Sequence, residues 1–289
     1  MKNIAILGCE NSHANSFLTF IKEREEFSDV NVIGVYSDDI EAANKLHDTF
    51  GVAVMENYAD AVGKVDGIVI TARHGDNHYK YAKPYIASRI PMFVDKPITV
   101  SEDDALAFMR ELAANDIKVS GGSSLKHDDL VIALKNDREN DVDGKTLGGF
   151  IRAPYQSENE YGGFYFYAQH LVEMVCEIYG RFPLSVCATK KGSQISVLFR
   201  YEDYDCHGLF CDKSYCYFAS RMAAKGSKGA AIPSTKEWSY REFREFYHLM
   251  TGEGSGACYK KLIAPVYIMN AIDRALASGT EEKIAYPEI

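Results

Sequence analysis

Apolar positions in the first 120 residues fall into two alternating patterns. Residues 3–7, 31–36, 66–71 and 92–94 are short, mostly apolar runs, as buried strands are, and 118–120 begins one more strand. Between them the apolar positions take helical spacing, which predicts helices over 14–25, 40–50, 78–88 and 102–114. Gly51 stops the second helix. Ser101 caps the fourth, and Glu102, Asp103 and Asp104 suit the positive end of its first turn. Strand and helix in this order predict an α/β fold, a doubly wound parallel sheet over residues 1–121.

The pattern changes near Gly121-Gly122. Residues 127–135 still read as helix, but β-rich segments follow at 149–155, 184–189, 194–201, 208–211 and 215–220. A helix over 167–179 interrupts them, and helices over 240–250 and 260–276 close the chain. Residues 122–289 are therefore expected to form a second, α+β domain on an open, mostly antiparallel sheet. In the 167–179 helix, Leu171, Met174, Val175 and Ile178 make a core stripe, which leaves His170 and Glu173 on a separate face.

Composition narrows the function classes. The 289 residues are 46% hydrophobic and 25% charged, ordinary values for a globular protein. The formal charge is −9, and no basic stripe runs along the chain, so neither nucleic acid nor an anionic membrane is expected as a partner. The first apolar run is too short for a signal peptide. Residues 262–272, which contain Pro265 and Asn270, are too few to span a bilayer. Seven cysteines, an odd number without a CxxC pair, read as free thiols in a reducing compartment, even with His207 beside Cys206. A cytoplasmic location is the expectation.

The candidate chemistry clusters where the first-domain strands end. Pro91-Met92-Phe93-Val94-Asp95-Lys96-Pro97 is a buried strand that must turn at Pro97, which has no N–H. Asp95 and Lys96 then stand at the carboxyl edge, where open parallel sheets bind ligands. A lysine there can exchange a proton with a substrate hydroxyl if its surroundings lower its pKa. The first strand ends in Gly8-Cys9-Glu10-Asn11-Ser12-His13. Only Gly8 suits a dinucleotide turn, since Glu10 and His13 occupy the second and third glycine positions. Asn11 or Ser12 can cap the following helix, and Glu10 is expected to oppose a pyrophosphate. Ser37 stands where an acid would grip a ribose diol, with Asp38 one residue on, and no arginine follows to bind a 2′-phosphate. Thr71, His74 and His78 complete the edge. Glu10, His13, His74, Asp76 and His78 include donors suited to a divalent cation, but no metal site is assigned.

Taken together, these residues resemble the Gfo/Idh/MocA family (glucose–fructose oxidoreductase, inositol 2-dehydrogenase, rhizopine catabolism). Asp95-Lys96-Pro97 stands where the family has Glu-Lys-Pro, and His78 matches a histidine of the preceding helix. Gly162-Gly163 with His170 and Glu173 is similar to the family's Gly-Gly and Asp-x-Gly-x-His-x-x-Asp segment. The resemblance implies a Rossmann domain followed by an open-faced sheet domain, NAD or NADP as cofactor, and oxidation or reduction at a carbinol or ketone of a sugar or polyol. It makes Lys96 and His170 the catalytic pair with Asp95 beside them, and it implies a homodimer or homotetramer. Gly8, Glu10, Asn11, Ser12, His13, Ser37, Asp38, Thr71, His74 and His78 become the cofactor-binding candidates. His170 is expected to face Lys96, with Phe166 as an apolar wall. Phe166 and Ala168 depart from the motif aspartate and glycine. Two other functions fit the same residues: a lyase, hydratase or isomerase of keto-sugars built on Glu10 and His13, and a non-catalytic sensor of sugar or nucleotide.

Overall fold

The computed structural model describes residues 1–289. Its first sheet contains β1 (Lys2–Leu7), β2 (Val30–Tyr36), β3 (Gly67–Ile70), β4 (Met92–Val94) and β5 (Val119–Gly121). The strand order is β2-β1-β3-β4-β5, and every pairing is parallel. All residues of β3, β4 and β5 are buried. Strands covered on both faces need apolar side chains at every position, hence continuous runs rather than alternation. The chain leaves β1 toward one side of the sheet for β2 and reaches the other side for β3. The carboxyl ends of β1 and β3 therefore flank the switch point, where such sheets open a crevice.

Helices α1 (Ser12–Glu23), α2 (Ile40–Phe50), α3 (Asp76–Ala82) and α4 (Glu102–Ala114) connect these strands. The side chains of Asn11, Asp39 and Ser101 accept backbone N–H bonds at the starts of α1, α2 and α4. The third helix differs from expectation. It begins at Asp76, and residues Lys83–Ser88 tighten into a 3-10 helix, where Pro84 supplies no N–H for an α-helical bond.

The later part contains α5 (Asp129–Glu139), β6 (Thr146–Tyr155), α6 (Phe164–Tyr179), β7 (Ser185–Lys191), β8 (Gln194–Arg200), β9 (Asp205–Asp212), β10 (Tyr217–Ala223) and β11 (Gly226–Ile232). Helices α7 (Glu237–Thr251) and α8 (Tyr259–Ser278) and a short strand β12 (Glu282–Lys283) follow. The second sheet has the order β11-β10-β6-β9-β8-β7-β12, antiparallel except where β6 runs parallel to β9. Sequence patterning missed β11. Gly226 and Gly229 weaken its strand signal, and it forms because a two-residue loop folds it back on β10. No helix is long and apolar enough to cross a membrane.

Helix α6 corrects the amphipathic reading. Every residue from Ala168 to Tyr179 is buried, because α6 packs on β6 and β9 and also against α5. Glu173 lies inside and pairs with Arg181 at 2.6 Å, and Glu177 pairs with the same guanidinium. Gly162 and Gly163 have φ of 96° and 60°, a region that L side chains rarely enter. The Asn159 side chain holds that turn, accepting from Tyr161 N and Gly163 N.

The chain divides into two compact units, but not at a single boundary. Met1–Gly122 is joined by Ser239–Leu262, while Ser123–Trp238 is joined by Ile263–Glu288. The expectation that everything after residue 121 belongs to the second domain is corrected by α7. Tyr240, Phe243 and Phe246 share one core with Phe17, Phe20 and Phe27. The Phe243 ring lies 4.9 Å from Phe27 and 5.0 Å from Phe17, centroid to centroid. Helical periodicity shows that α7 has an apolar face but not which core that face will meet. Truncating Phe243 to Ala should lower unfolding free energy by about 3–5 kcal/mol, the cost of deleting a buried aromatic ring. Denaturant titration measures this, and a loss below about 1 kcal/mol would contradict the packing of α7 on the first unit.

Candidate active site

At the end of β4 the Asp95 carboxylate is fully buried. Three groups hold it. Asn11 Nδ2 donates to Oδ2 at 2.9 Å, His13 Nδ1 lies 2.9 Å from the same oxygen, and Lys96 N donates to Oδ1 at 2.7 Å. Asn11 and His13 open α1, so that helix start and the end of β4 are bonded through one carboxylate. Glu242 of α7 approaches from the other side, fully buried, with Oε2 3.8 Å from His13 Nδ1. Sequence reasoning missed Glu242. The available signal was its place on the inward stripe with Phe243 and Phe246, where a carboxylate is out of keeping with its neighbours.

These charges set one another's protonation. Burial alone would lower the His13 pKa, but the carboxylates of Asp95 and then Glu242 outweigh it and hold the imidazole above its ordinary value. Burial would raise the Asp95 pKa, yet His13 and Lys96 bring it below the usual carboxylate range. Lys96 is 5% exposed. Burial lowers its amine pKa, Arg73 adds to that effect, and Asp95 and Glu242 oppose it without cancelling it. The result is a buried lysine displaced toward neutrality.

A second bonded group lies at the ends of β1, β2 and β3. Glu10 Oε2 accepts from Ser37 Oγ at 2.6 Å, and Oε1 accepts from Arg73 N at 2.9 Å. Ser37 also accepts from Asp39 N at 3.0 Å. Asp38 is exposed, and its carboxylate accepts from Tyr36 OH at 2.5 Å and Tyr81 OH at 2.8 Å. The bond from Tyr36 is the main reason its pKa falls below the ordinary value. Gly8 has φ 74°, and a Cβ there would overlap the backbone of Ala72 beyond β3.

Other candidates have internal roles. Thr71 is fully buried and donates to Gly8 O at 3.0 Å. His78 is also fully buried, with Nε2 2.7 Å from Ala72 O, and burial lowers its pKa. Both were candidates for touching a cofactor, but the loop after β3 needs its polar groups satisfied from inside, and they are turned inward to do that. His74 pairs with Asp76 at 3.7 Å at the start of α3. Ser12 is exposed, 3.3 Å from Asn11 Oδ1. No group of three or more His, Cys, Asp or Glu side chains is placed to hold a metal ion.

In the second unit, His170 is 8% exposed and Nδ1 shares a 2.7 Å hydrogen bond with Ser123 Oγ. The rings of Tyr167 and Tyr217 lie 5.4 and 6.1 Å from its ring. Ser123, which no sequence motif marked, fixes this imidazole. Phe166 is 8% exposed and packs against Tyr161 and Tyr167.

Residues 2–123 match the profile of the GFO_IDH_MocA family, described as an oxidoreductase family with an NAD-binding Rossmann fold. No curated protein matches the chain. Among solved structures, myo-inositol 2-dehydrogenase from Lactobacillus plantarum is similar with a TM-score of 0.85 and 13% identity, over 98% of this chain and 99% of that one. Myo-inositol dehydrogenase from Corynebacterium glutamicum gives 0.83 at 16% identity, over 99% and 100%. Scyllo-inositol dehydrogenase from Lactobacillus casei, solved with NAD(H) and scyllo-inositol, gives 0.83 at 13% identity, over 98% and 99%. Residues 2–123 are thus similar to a family of NAD-binding Rossmann oxidoreductases, and over nearly its whole length the chain has the fold seen in these inositol dehydrogenases.

Proposed function

We propose that the chain is an NAD- or NADP-dependent dehydrogenase acting on a carbinol or ketone of a sugar or polyol. The observation that carries this reading is Lys96, a buried lysine displaced toward neutrality at the carboxyl edge of a family-matched Rossmann sheet. The turn after β1 fits a dinucleotide. Gly8 takes the positive φ the turn needs, and α1 opens with no acidic side chain in its first turn to cancel its positive end. A nicotinamide dinucleotide held by this turn would supply the hydride acceptor.

Lys96 handles the proton. In the oxidation direction, neutral Nζ takes the proton of the substrate hydroxyl as the carbinol carbon gives up its hydride. In reduction, the ammonium returns it. An unperturbed lysine of pKa about 10.4 is mostly protonated at neutral pH, so the lowering by burial and Arg73 favours the base form. Asp95 limits that lowering and fixes the backbone N–H of Lys96. His170 is a separate acid–base candidate of the second unit, its ring held by Ser123. Glu10 and His13, the motive for a lyase, are bonded to Ser37, Arg73 and Asp95. Seven free cysteines support a cytoplasmic location. Partly exposed Phe150, Leu198 and Leu209 on the second sheet support self-association as a dimer or tetramer.

Replacing Lys96 by Ala should leave the fold intact and lower turnover of a polyol substrate at least about a hundredfold, the usual scale of acid–base loss. Steady-state kinetics with NAD or NADP measures it, and undiminished turnover would end the assignment of Lys96.

His13 should also leave a signature in stability. Its folded pKa is raised, with Asp95, Glu242 and Lys96 the charged groups facing it. Its contribution is complete below an unfolded value of about 6.5 and is lost as pH rises through the higher folded value. The melting temperature should therefore fall above about pH 6.5, and His13→Asn should flatten that decline. An identical decline in the variant would place the titration elsewhere.

A further inference from the structure

We infer that Glu10 supplies the carboxylate that grips the adenosine ribose of the dinucleotide, in place of the acid missing from the end of β2, and so selects NAD over NADP. The inference rests on the dinucleotide-dependent reading above. In a Rossmann sheet the ribose diol is held by an acid at the end of β2. Here that position is Ser37, whose hydroxyl is already donating to Glu10 and accepting from Asp39 N. The next acid, Asp38, is engaged by the hydroxyls of Tyr36 and Tyr81. Ser37 has no carboxylate, and that of Asp38 is met by both tyrosine hydroxyls and also by the Lys80 ammonium 3.8 Å away.

Glu10 brings one to the same place from the neighbouring turn. Its Oε2 sits 2.6 Å from Ser37 Oγ, and its Oε1 sits 2.9 Å from Arg73 N just beyond β3. The carboxylate thus spans the ends of β2 and β3, on either side of β1, at the switch point of the sheet. These two tethers direct it toward the strand ends, so its charge is not free to swing in front of the α1 amides. An ionised carboxylate offers about four lone-pair sites, and the protein uses two of them. The remainder can accept from the 2′- and 3′-hydroxyls of a ribose. A 2′-phosphate has no such proton to give and would bring negative charge against negative charge, so the same group that attracts NAD rejects NADP. On this inference Glu10 holds the ribose rather than opposing the pyrophosphate.

Calorimetric titration of NAD and of NADP into the wild-type protein and into Glu10→Gln and Ser37→Ala variants tests the inference, with thermal melting to confirm that each variant folds. The wild-type chain should prefer NAD. Glu10→Gln keeps the size and loses the charge. It should weaken NAD binding about tenfold or more while leaving NADP little changed, so that the preference collapses. Ser37→Ala, which releases one tether but keeps the carboxylate, should weaken NAD less. Wild-type preference for NADP, or a Glu10→Gln variant that holds NAD as well or better, would overturn the role of Glu10 and leave the dehydrogenase reading standing. Failure of the wild-type chain to bind either nucleotide at millimolar concentration would overturn both.

Discussion

Keeping a carboxylate in the dry interior at the end of β4 is the constraint from which much of the site follows. An isolated buried charge costs several kcal/mol, so Asp95 persists only with donors aimed at it. Asn11, His13 and the Lys96 amide provide them. Asn11 serves twice, since its Oδ1 caps α1 through His13 N while its Nδ2 reaches Asp95. The start of α1, the position of His13 and the direction of the chain at Lys96 are consequently fixed together. A change at any one of them leaves the carboxylate short of a partner.

The same logic explains why the nucleotide turn departs so far from a glycine-rich pattern. Read one position at a time, Glu10 and His13 are lost glycines, Ser37 is a lost ribose acid and Asp95 is a shortened glutamate. In three dimensions these four departures are two bonds, Glu10 to Ser37 and His13 to Asp95. Each bulky residue in the turn meets an altered residue at the end of a different strand. Charge-assisted bonds of this kind are the stronger ones in proteins, so each pair ties the turn firmly to a strand end.

Much of the fold was legible because its local rules agree. Continuous apolar runs marked the central strands, and Asp39 and Ser101 cap their helices as short polar side chains do. The sequence also placed Asp95 and Lys96 at the carboxyl edge, since Pro97 ends the strand. What stayed hidden depends on contacts distant in the chain. Nothing local to α7 reveals that Phe243 meets Phe17 and Phe27, or that Glu242 is carried to His13. The inward turn of His78 depends on the Ala72 carbonyl, and the burial of the supposedly separate face of α6 depends on α5 and Arg181. A helical stripe gives a direction, and only the tertiary partner decides what lies there.

The buried charges around Lys96 also bear on why its amine can change protonation. Asp95 and Glu242 favour the ammonium, while Arg73 and burial oppose it. The same two carboxylates raise the pKa of the His13 imidazole, and Lys96 pushes it down. Such repulsion is mutual, so a proton resident on His13 disfavours a proton on Lys96. Without His13, both carboxylates would act on Lys96 with no competing imidazole, which would raise its pKa. When His13 carries a proton, part of that pull is met by a group other than Lys96. The imidazole of residue 13 thereby shares with Lys96 the task of balancing two buried carboxylates.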